Sequence, residues 1–179
     1  MADAKIKVTK IDAARRQLRT AIELWFTDSD PVAIHTLAAA AHEIIHTLFK
    51  RRGFHGLIFD SDIIKDEYRG QFAKRMKANA AFFKHAREDP DAELEFNPEI
   101  NAFFLLFAVY GLGRMEPLDE MERIFLTWFG IQKPEILVED IYAKLLPVDQ
   151  LQDFRRMKKG EFFEIFKLAR RLRKEGGGQ

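Results

Sequence analysis

The chain has no cysteine among its 179 residues. A protein without thiols has no disulfide framework, no thiolate nucleophile and no cysteine-ligated zinc or iron–sulfur cluster. An excess of charge of one sign is also lacking, since 29 Lys and Arg residues face 28 Asp and Glu residues and leave a net charge of +1. This balance argues against a protein that coats nucleic acid over its whole surface, while it leaves room for a local basic patch.

Long hydrophobic runs are missing too. The longest apolar stretch covers residues 102–113, whereas a membrane-spanning helix needs about 20 apolar residues. The first ten residues do not contain the apolar region of a signal peptide. We therefore expect residues 102–113 to form a core helix, and the protein to be cytoplasmic without a membrane association.

Helix signals dominate what the sequence does contain. Apolar residues recur at spacings of three and four over residues 10–27, which predicts an amphipathic helix. Asp30 and Pro31 are a typical helix start, and Gly53 after three basic residues is a typical helix end. Further helices are predicted over about 60–87, 97–110, 119–129, 134–146, 148–157 and 161–174.

The only strand-like segment, residues 93–96, is too short to build a sheet. The sequence therefore predicts an all-α fold. We expect one helical bundle of about seven or eight helices over residues 1–175, followed by a disordered tail at residues 176–179.

The predicted helix over residues 31–53 carries His35, His42 and His46, which fall at the margin of its apolar face. The stretch His42-Glu43-Ile44-Ile45-His46 matches the H-E-x-x-H pattern, in which two imidazoles hold a zinc ion and the glutamate activates a bound water. In these five residues the chain resembles zincin metallopeptidases. His55 is a candidate third ligand, although the glycine before it stands seven residues after His46 instead of three. The alternative is a core-flanking helix that carries structural histidines.

A second candidate site lies at the end of the predicted helix over residues 60–87. His85 stands there beside Lys84 and Arg87. A histidine at this place acts as an acid or base near neutral pH, and an arginine binds phosphate. The alternative is a histidine that stabilises the helix end, where the dipole favours a cation.

Residues from about 10 to 90 resemble HEPN domains (higher eukaryotes and prokaryotes nucleotide-binding). The resemblance rests on the small-residue-rich helix up to Gly53 and on the later segment Asn79-Ala-Ala-Phe-Phe-Lys-His85. It implies an all-α homodimer that binds RNA or a partner protein, with His85 near the two-fold axis. HEPN ribonucleases carry an arginine where this chain has Asn79, so nuclease activity is in doubt. The candidate catalytic residues are His85, Asn79 and Arg75, and the candidate binding residues are His35 and Arg87.

Charge is unevenly distributed along the chain. Residues 88–99 are acidic, whereas residues 155–174 are basic and end in an amphipathic helix. The composition of that helix is compatible with binding RNA, an acidic partner or an anionic membrane surface. The simpler interpretation is that the helix packs on the bundle and that its charges are solvated. Three hypotheses stay open: a HEPN-like module that binds RNA or a protein partner, a zinc protein built on His42, Glu43, His46 and His55, and a non-catalytic helical interaction protein.

Overall fold

The computed structural model describes residues 5–55, 65, 67, 78–85 and 90–176. The fold is all-α with about eight helices, as predicted, and no strand occurs in the described residues. Residues 78–82 are helical, and most of the predicted helix over 60–87 lies outside the described residues, as do residues 177–179 of the predicted tail. Seven helices have defined bounds: α1 (Lys10–Phe26), α2 (Pro31–Arg51), α3 (Ile100–Gly113), α4 (Glu120–Gln132), α5 (Ile141–Leu145), α6 (Val148–Arg156) and α7 (Lys159–Gly176).

Helices α1 and α2 form a hairpin whose ends are set by local chemistry. Thr9 and Asp12 make a capping box at the start of α1. The side chain of Asp30 accepts a hydrogen bond of 2.7 Å from the backbone N–H of Ala33, and Pro31 occupies the first turn of α2. Gly53 follows α2 with φ of 81°, the left-handed conformation that favours glycine after a helix. The start and end predicted for α2 are therefore confirmed.

Helix α3 lies at the centre of the core, and all but two of its residues are buried. The apolar run is thus a core helix. It begins later than predicted, because the side chain of Asn97 accepts a hydrogen bond of 3.0 Å from the N–H of Glu99 and holds a turn before the helix. It also continues through Gly111 to Gly113, since helical hydrogen bonding persists where the sequence predicted an end.

Among the described residues, α2 is the one helix long and apolar enough to cross a membrane by length and composition. Its most apolar window has a mean hydropathy of 1.3, and 44% of that window is buried inside the protein. A buried core helix meets the same criteria, so these properties alone do not assign α2 to a membrane.

Two arginines of α1 join that helix to the start of α4. The carboxylate of Glu122 is fully buried, and its Oε1 lies 3.1 Å from Nε of Arg15. Asp119 forms a capping box with Glu122 and accepts hydrogen bonds from Arg19. Burial raises the pKa of Glu122 despite its hydrogen bonds from Asp119 and Arg15. Burial also opposes ionisation of Asp119, but hydrogen bonds from Arg19 and from the N–H of Glu122 lower its pKa overall.

The helix predicted to end at Gly130 continues to Gln132, so Gly130 lies inside α4. A Cβ atom at Gly130 would lie 2.4 Å from Cε2 of Tyr142, so the ring of Tyr142 rests directly on the backbone of α4. The helix predicted to start at Pro134 is also shorter than expected. It starts only after Asp140, whose side chain accepts a hydrogen bond of 2.9 Å from Ala143.

Candidate functional site

The histidine face of α2 packs against α3. His35 is fully buried, His42 is 5% exposed, and His46 is half-buried. The ring of Phe104 from α3 lies edge-on to both His35 and His42, with centroid distances of 4.8 and 5.7 Å. His35 and His42 thus belong to the packed interior, whereas the sequence predicted them at the margin of the apolar face.

His35 is held in one tautomer by its neighbours. Its Nδ1 lies 2.7 Å from Oδ1 of Asn101, while Nδ2 of Asn101 donates a hydrogen bond of 2.9 Å to the backbone oxygen of Pro31. Because this second bond fixes the amide oxygen on the histidine side, the proton resides on Nδ1 of His35. Its Nε2 is buried and makes no hydrogen bond.

An aromatic box closes around the His35 ring. Phe83, Phe96 and Phe104 meet it edge-on with centroid distances of 5.3, 5.1 and 4.8 Å. Burial lowers the pKa of His35, and the charge of Lys84 lowers it further, whereas the hydrogen bond that His35 donates to Asn101 raises it. His35, which the sequence predicted as a binding residue, is thus a buried side chain whose neutral form is favoured.

The two histidines of the H-E-x-x-H stretch lie side by side. The rings of His42 and His46 are nearly parallel, with centroids 5.7 Å apart and an interplanar angle of 22°. Burial, followed by the charge of His46, lowers the pKa of His42 from 6.5 to about 3. The Nε2 atom of His42 is buried and makes no hydrogen bond.

Glu43 does not join these two imidazoles. Its side chain is 75% exposed, and its Oε2 lies 3.6 Å from Nζ of Lys84. His55 is exposed, beyond the end of α2. Within the part of the chain that the structure describes, no three His, Cys, Asp or Glu side chains are grouped to hold a metal ion. The four residues predicted as zinc ligands therefore do not converge.

The second predicted site is only partly described. His85 is exposed and follows the helical residues 78–82, with its backbone N–H donating a hydrogen bond of 3.1 Å to Ala81. Asn79 is buried, with 8% of its surface exposed. Arg75 and Arg87 lie outside the described residues. Thus His85 faces solvent, whereas Asn79 lies inside the protein.

Sequence reasoning missed Asn101 as the partner of His35. A signal was present, because Asn101 is the only amide side chain in the apolar segment that forms α3. A buried amide needs hydrogen-bond partners, and a histidine on a neighbouring helix is a suitable one. The phenylalanines around His35 carried no comparable signal, since the chain has 17 of them.

Comparison with known proteins gives no match: no family model fits the chain, and no curated protein or solved structure is significantly similar to it.

Proposed function

We propose that this chain is a helical interaction protein that acts by binding a macromolecular partner, and that its buried histidines hold the fold. The observation that carries this proposal is the environment of His35. A histidine that is hydrogen-bonded to Asn101, enclosed by three phenylalanines and kept neutral by burial suits packing better than proton transfer.

An RNA-cleavage and peptide-hydrolysis assay on the wild type and single histidine variants tests this role. We expect no activity that depends on His42 or His85. We also expect His35→Ala to lower the melting temperature by several degrees, because it removes a buried hydrogen bond and leaves a cavity. A turnover that is lost in His85→Ala or His42→Ala, while the variant keeps its melting temperature, refutes the proposal.

A HEPN-like homodimer that binds RNA is a second candidate, and the exposure of His85 beside Lys84 favours it. Fluorescence anisotropy with a labelled single-stranded RNA tests it. In this case Lys84→Ala and His85→Ala weaken binding, and the affinity falls as salt is raised. The matched control is Lys144→Ala, which removes an exposed lysine of α5 that pairs with Glu139, about 60 residues away from Lys84 and His85 in the sequence. Equal affinity for all of these proteins counts against RNA binding at His85.

A metal-binding role is a third candidate, favoured by the unpartnered Nε2 of His42 next to the ring of His46. Two histidines one helical turn apart supply two ligands for zinc or another divalent metal. Metal analysis of the purified protein, and calorimetric titration with zinc, test this role. Stoichiometric zinc that disappears in His42→Ala supports it, whereas sub-stoichiometric metal in both proteins counts against it.

A further inference from the structure

Helix α7 docks on the bundle through one side and leaves another side exposed. Phe162 and Phe163 are buried, and Phe163 stacks on Phe26 at a centroid distance of 4.6 Å. Ile165, Leu168 and Leu172 are between 40% and 59% exposed. Their spacing of three and four places them on one side of the helix, which we name the α7 face. The amphipathic helix predicted here thus docks through its first turns, while the apolar positions that follow face solvent.

The α7 face lies on a strongly basic stretch of helix. Residues 165–174 contain five Lys and Arg residues and no acidic residue. Lys167 lies over the ring of Phe163 and pairs with Glu164 at 3.1 Å, so part of this charge is already satisfied. A surface that is both apolar and cationic fits a partner surface that is apolar and acidic.

The same chain has a surface of that kind around α5. Val138, Ile141, Leu145 and Val148 are between 52% and 69% exposed, and they follow one another at intervals of three or four residues. We name these four residues the α5 face. The contact between Tyr142 and Gly130 holds α5 against α4, and Ile141 and Leu145 remain exposed.

The stretch of chain around the α5 face has a small acidic excess. Residues 135–156 contain five Asp and Glu residues and three Lys and Arg residues. Asp140 pairs with Arg155 at 3.0 Å, and Glu139 pairs with Lys144, so these two carboxylates are locally compensated. The other three carboxylates of this stretch are exposed: Glu135, Asp149 and Asp153. Their charge is opposite to that of the α7 face.

The number of exposed apolar side chains also favours a dimer that uses both faces. Seven residues of each protomer are 40–69% exposed, so complete burial of both faces of both protomers would remove at most roughly 1,400 Å², which lies in the range of a specific interface. One α7 face on its own offers only a small part of that area. The apolar character also favours a protein surface over RNA, which is bound mainly through phosphates and stacked bases.

From this complementarity we infer that a second copy of this chain covers both faces, with the α7 face of each protomer packed on the α5 face of the other. The contact is reciprocal, so it closes as a two-fold dimer and leaves neither face free. This inference names one partner for the interaction role proposed above and rests on it.

Light scattering coupled to size-exclusion chromatography, at protein concentrations up to about 100 μM, tests the dimer. We expect the wild type to be a dimer, and Leu168→Asp and Leu145→Asp each to be monomeric, because each places a carboxylate in both copies of an apolar contact. Both residues are exposed in the protomer, so we expect these variants to stay folded and to unfold cooperatively, with a melting temperature lowered only by loss of the dimer. The matched control is Ile6→Asp, which changes an apolar residue of 71% exposure outside both faces and leaves the dimer intact.

A mixing experiment tests the reciprocity. In an equimolar mixture of the two variants, Leu168→Asp keeps an intact α5 face and Leu145→Asp keeps an intact α7 face. One of the two contacts can therefore form, and we expect a heterodimer whose affinity is at least tenfold weaker than that of the wild-type dimer. A monomeric wild type, or a Leu168→Asp variant that stays dimeric, overturns the inference. Wild-type assemblies that grow beyond a dimer with concentration overturn the two-fold closure.

The same measurements separate this inference from the proposed function. A dimer that survives in Leu168→Asp and dissociates in His85→Glu favours the HEPN-like interface and refutes the contact between α5 and α7. A catalytic activity that depends on a histidine refutes the proposed function, whether or not the α7 and α5 faces form the dimer.

Discussion

The imidazole of His35 donates from Nδ1 to Oδ1 of Asn101 across 2.7 Å, and this bond joins α2 to α3 inside the core. Asn101 extends the link to the first turn of α2 by donating to the oxygen of Pro31. Phe83 and Phe96, which precede α3 in the chain, pack on the same ring. His35 therefore fixes the position of two helices and of the segment that covers them.

Asn101→Ala should lower the free energy of unfolding by about 2 kcal/mol at pH 7. The change removes the acceptor of His35 Nδ1–H and the donor to Pro31, and it leaves a buried polar atom without a partner. Urea unfolding measures the loss. The control is Asn97→Ala, since Asn97 is exposed and its side chain accepts one bond from the N–H of Glu99. Equal losses in the two variants would contradict a structural role for the His35–Asn101 pair.

His42 should make the stability of the fold depend on pH. Its pKa is lowered from 6.5 to about 3, first by burial and then by the charge of His46, so the unfolded chain binds a proton that the folded protein does not. Its contribution to stability is present above pH 6.5 and is lost as the pH falls from 6.5 towards 3. We expect a slope of about 1.4 kcal/mol per pH unit from this residue over that window.

His42→Leu isolates this effect. Urea unfolding of the wild type and the variant at pH 7.5, 5.5 and 4.5 gives two pH profiles, whose difference removes the contribution of the carboxylates. The variant should show the shallower decline on acidification. Parallel profiles for the wild type and His42→Leu would show that His42 titrates alike in both states.

Arg15→Ala should destabilise the protein because it leaves the buried carboxylate of Glu122 without its positively charged partner. Arg15 lies 3.1 Å from the fully buried Glu122 and donates a hydrogen bond of 2.7 Å to the oxygen of Pro117. We expect a loss of about 2 kcal/mol at pH 7, less than for a fully buried pair, since the Arg15 side chain is 29% exposed. The control is Arg16→Ala, which removes an exposed neighbour in the same helix.

The loss in Arg15→Ala should also depend on pH. Burial already raises the pKa of Glu122, and removal of the guanidinium raises it further. A folded state with the higher pKa binds more protons than the unfolded state, so acidification offsets the loss. The difference from the wild type should therefore be smaller at pH 5 than at pH 7. An equal or larger difference at pH 5 would exclude an unpaired Glu122 carboxylate as the cause.

The parts of the fold that the sequence predicted correctly depend on short-range chemistry. Asp30, Pro31 and Gly53 set the ends of α2 through hydrogen bonds and backbone angles within a few residues. The all-α class follows from the spacing of apolar residues along the whole chain. These features need no knowledge of which helices touch.

The parts that the sequence did not predict depend on which elements meet. The H-E-x-x-H letters give the order of His42, Glu43 and His46, but only the packing of α3 shows that Glu43 is exposed while His42 is buried. A glycine in the sequence is ambiguous in the same way, because it is compatible with a helix end and with a close contact inside a helix. Only the position of the Tyr142 ring shows that Gly130 makes a close contact. Long-range contact, which a single sequence does not encode locally, decides both cases.

Gly130→Ala should destabilise the protein when Tyr142 is present, and it should stabilise the protein when residue 142 is alanine. In the wild type the new Cβ would lie 2.4 Å from Cε2 of Tyr142, and a rigid ring cannot yield without displacing α5. We expect a loss of about 1–3 kcal/mol in the free energy of unfolding, typical of overpacking. Once Tyr142→Ala has removed the ring, the same change should stabilise the protein by a few tenths up to about 1 kcal/mol, because alanine favours the helix more than glycine does.

A double-mutant cycle over Gly130→Ala and Tyr142→Ala measures this coupling by urea unfolding. Gly53→Ala serves as a comparison, since a Cβ atom at Gly53 would meet no neighbour within 4 Å, although the residue adopts φ of 81°. That variant should be destabilised by backbone strain alone, to the same extent with or without the ring of Tyr142. If Gly130→Ala is equally destabilising with Tyr142 and with Ala at that position, the contact between α4 and α5 does not require a glycine.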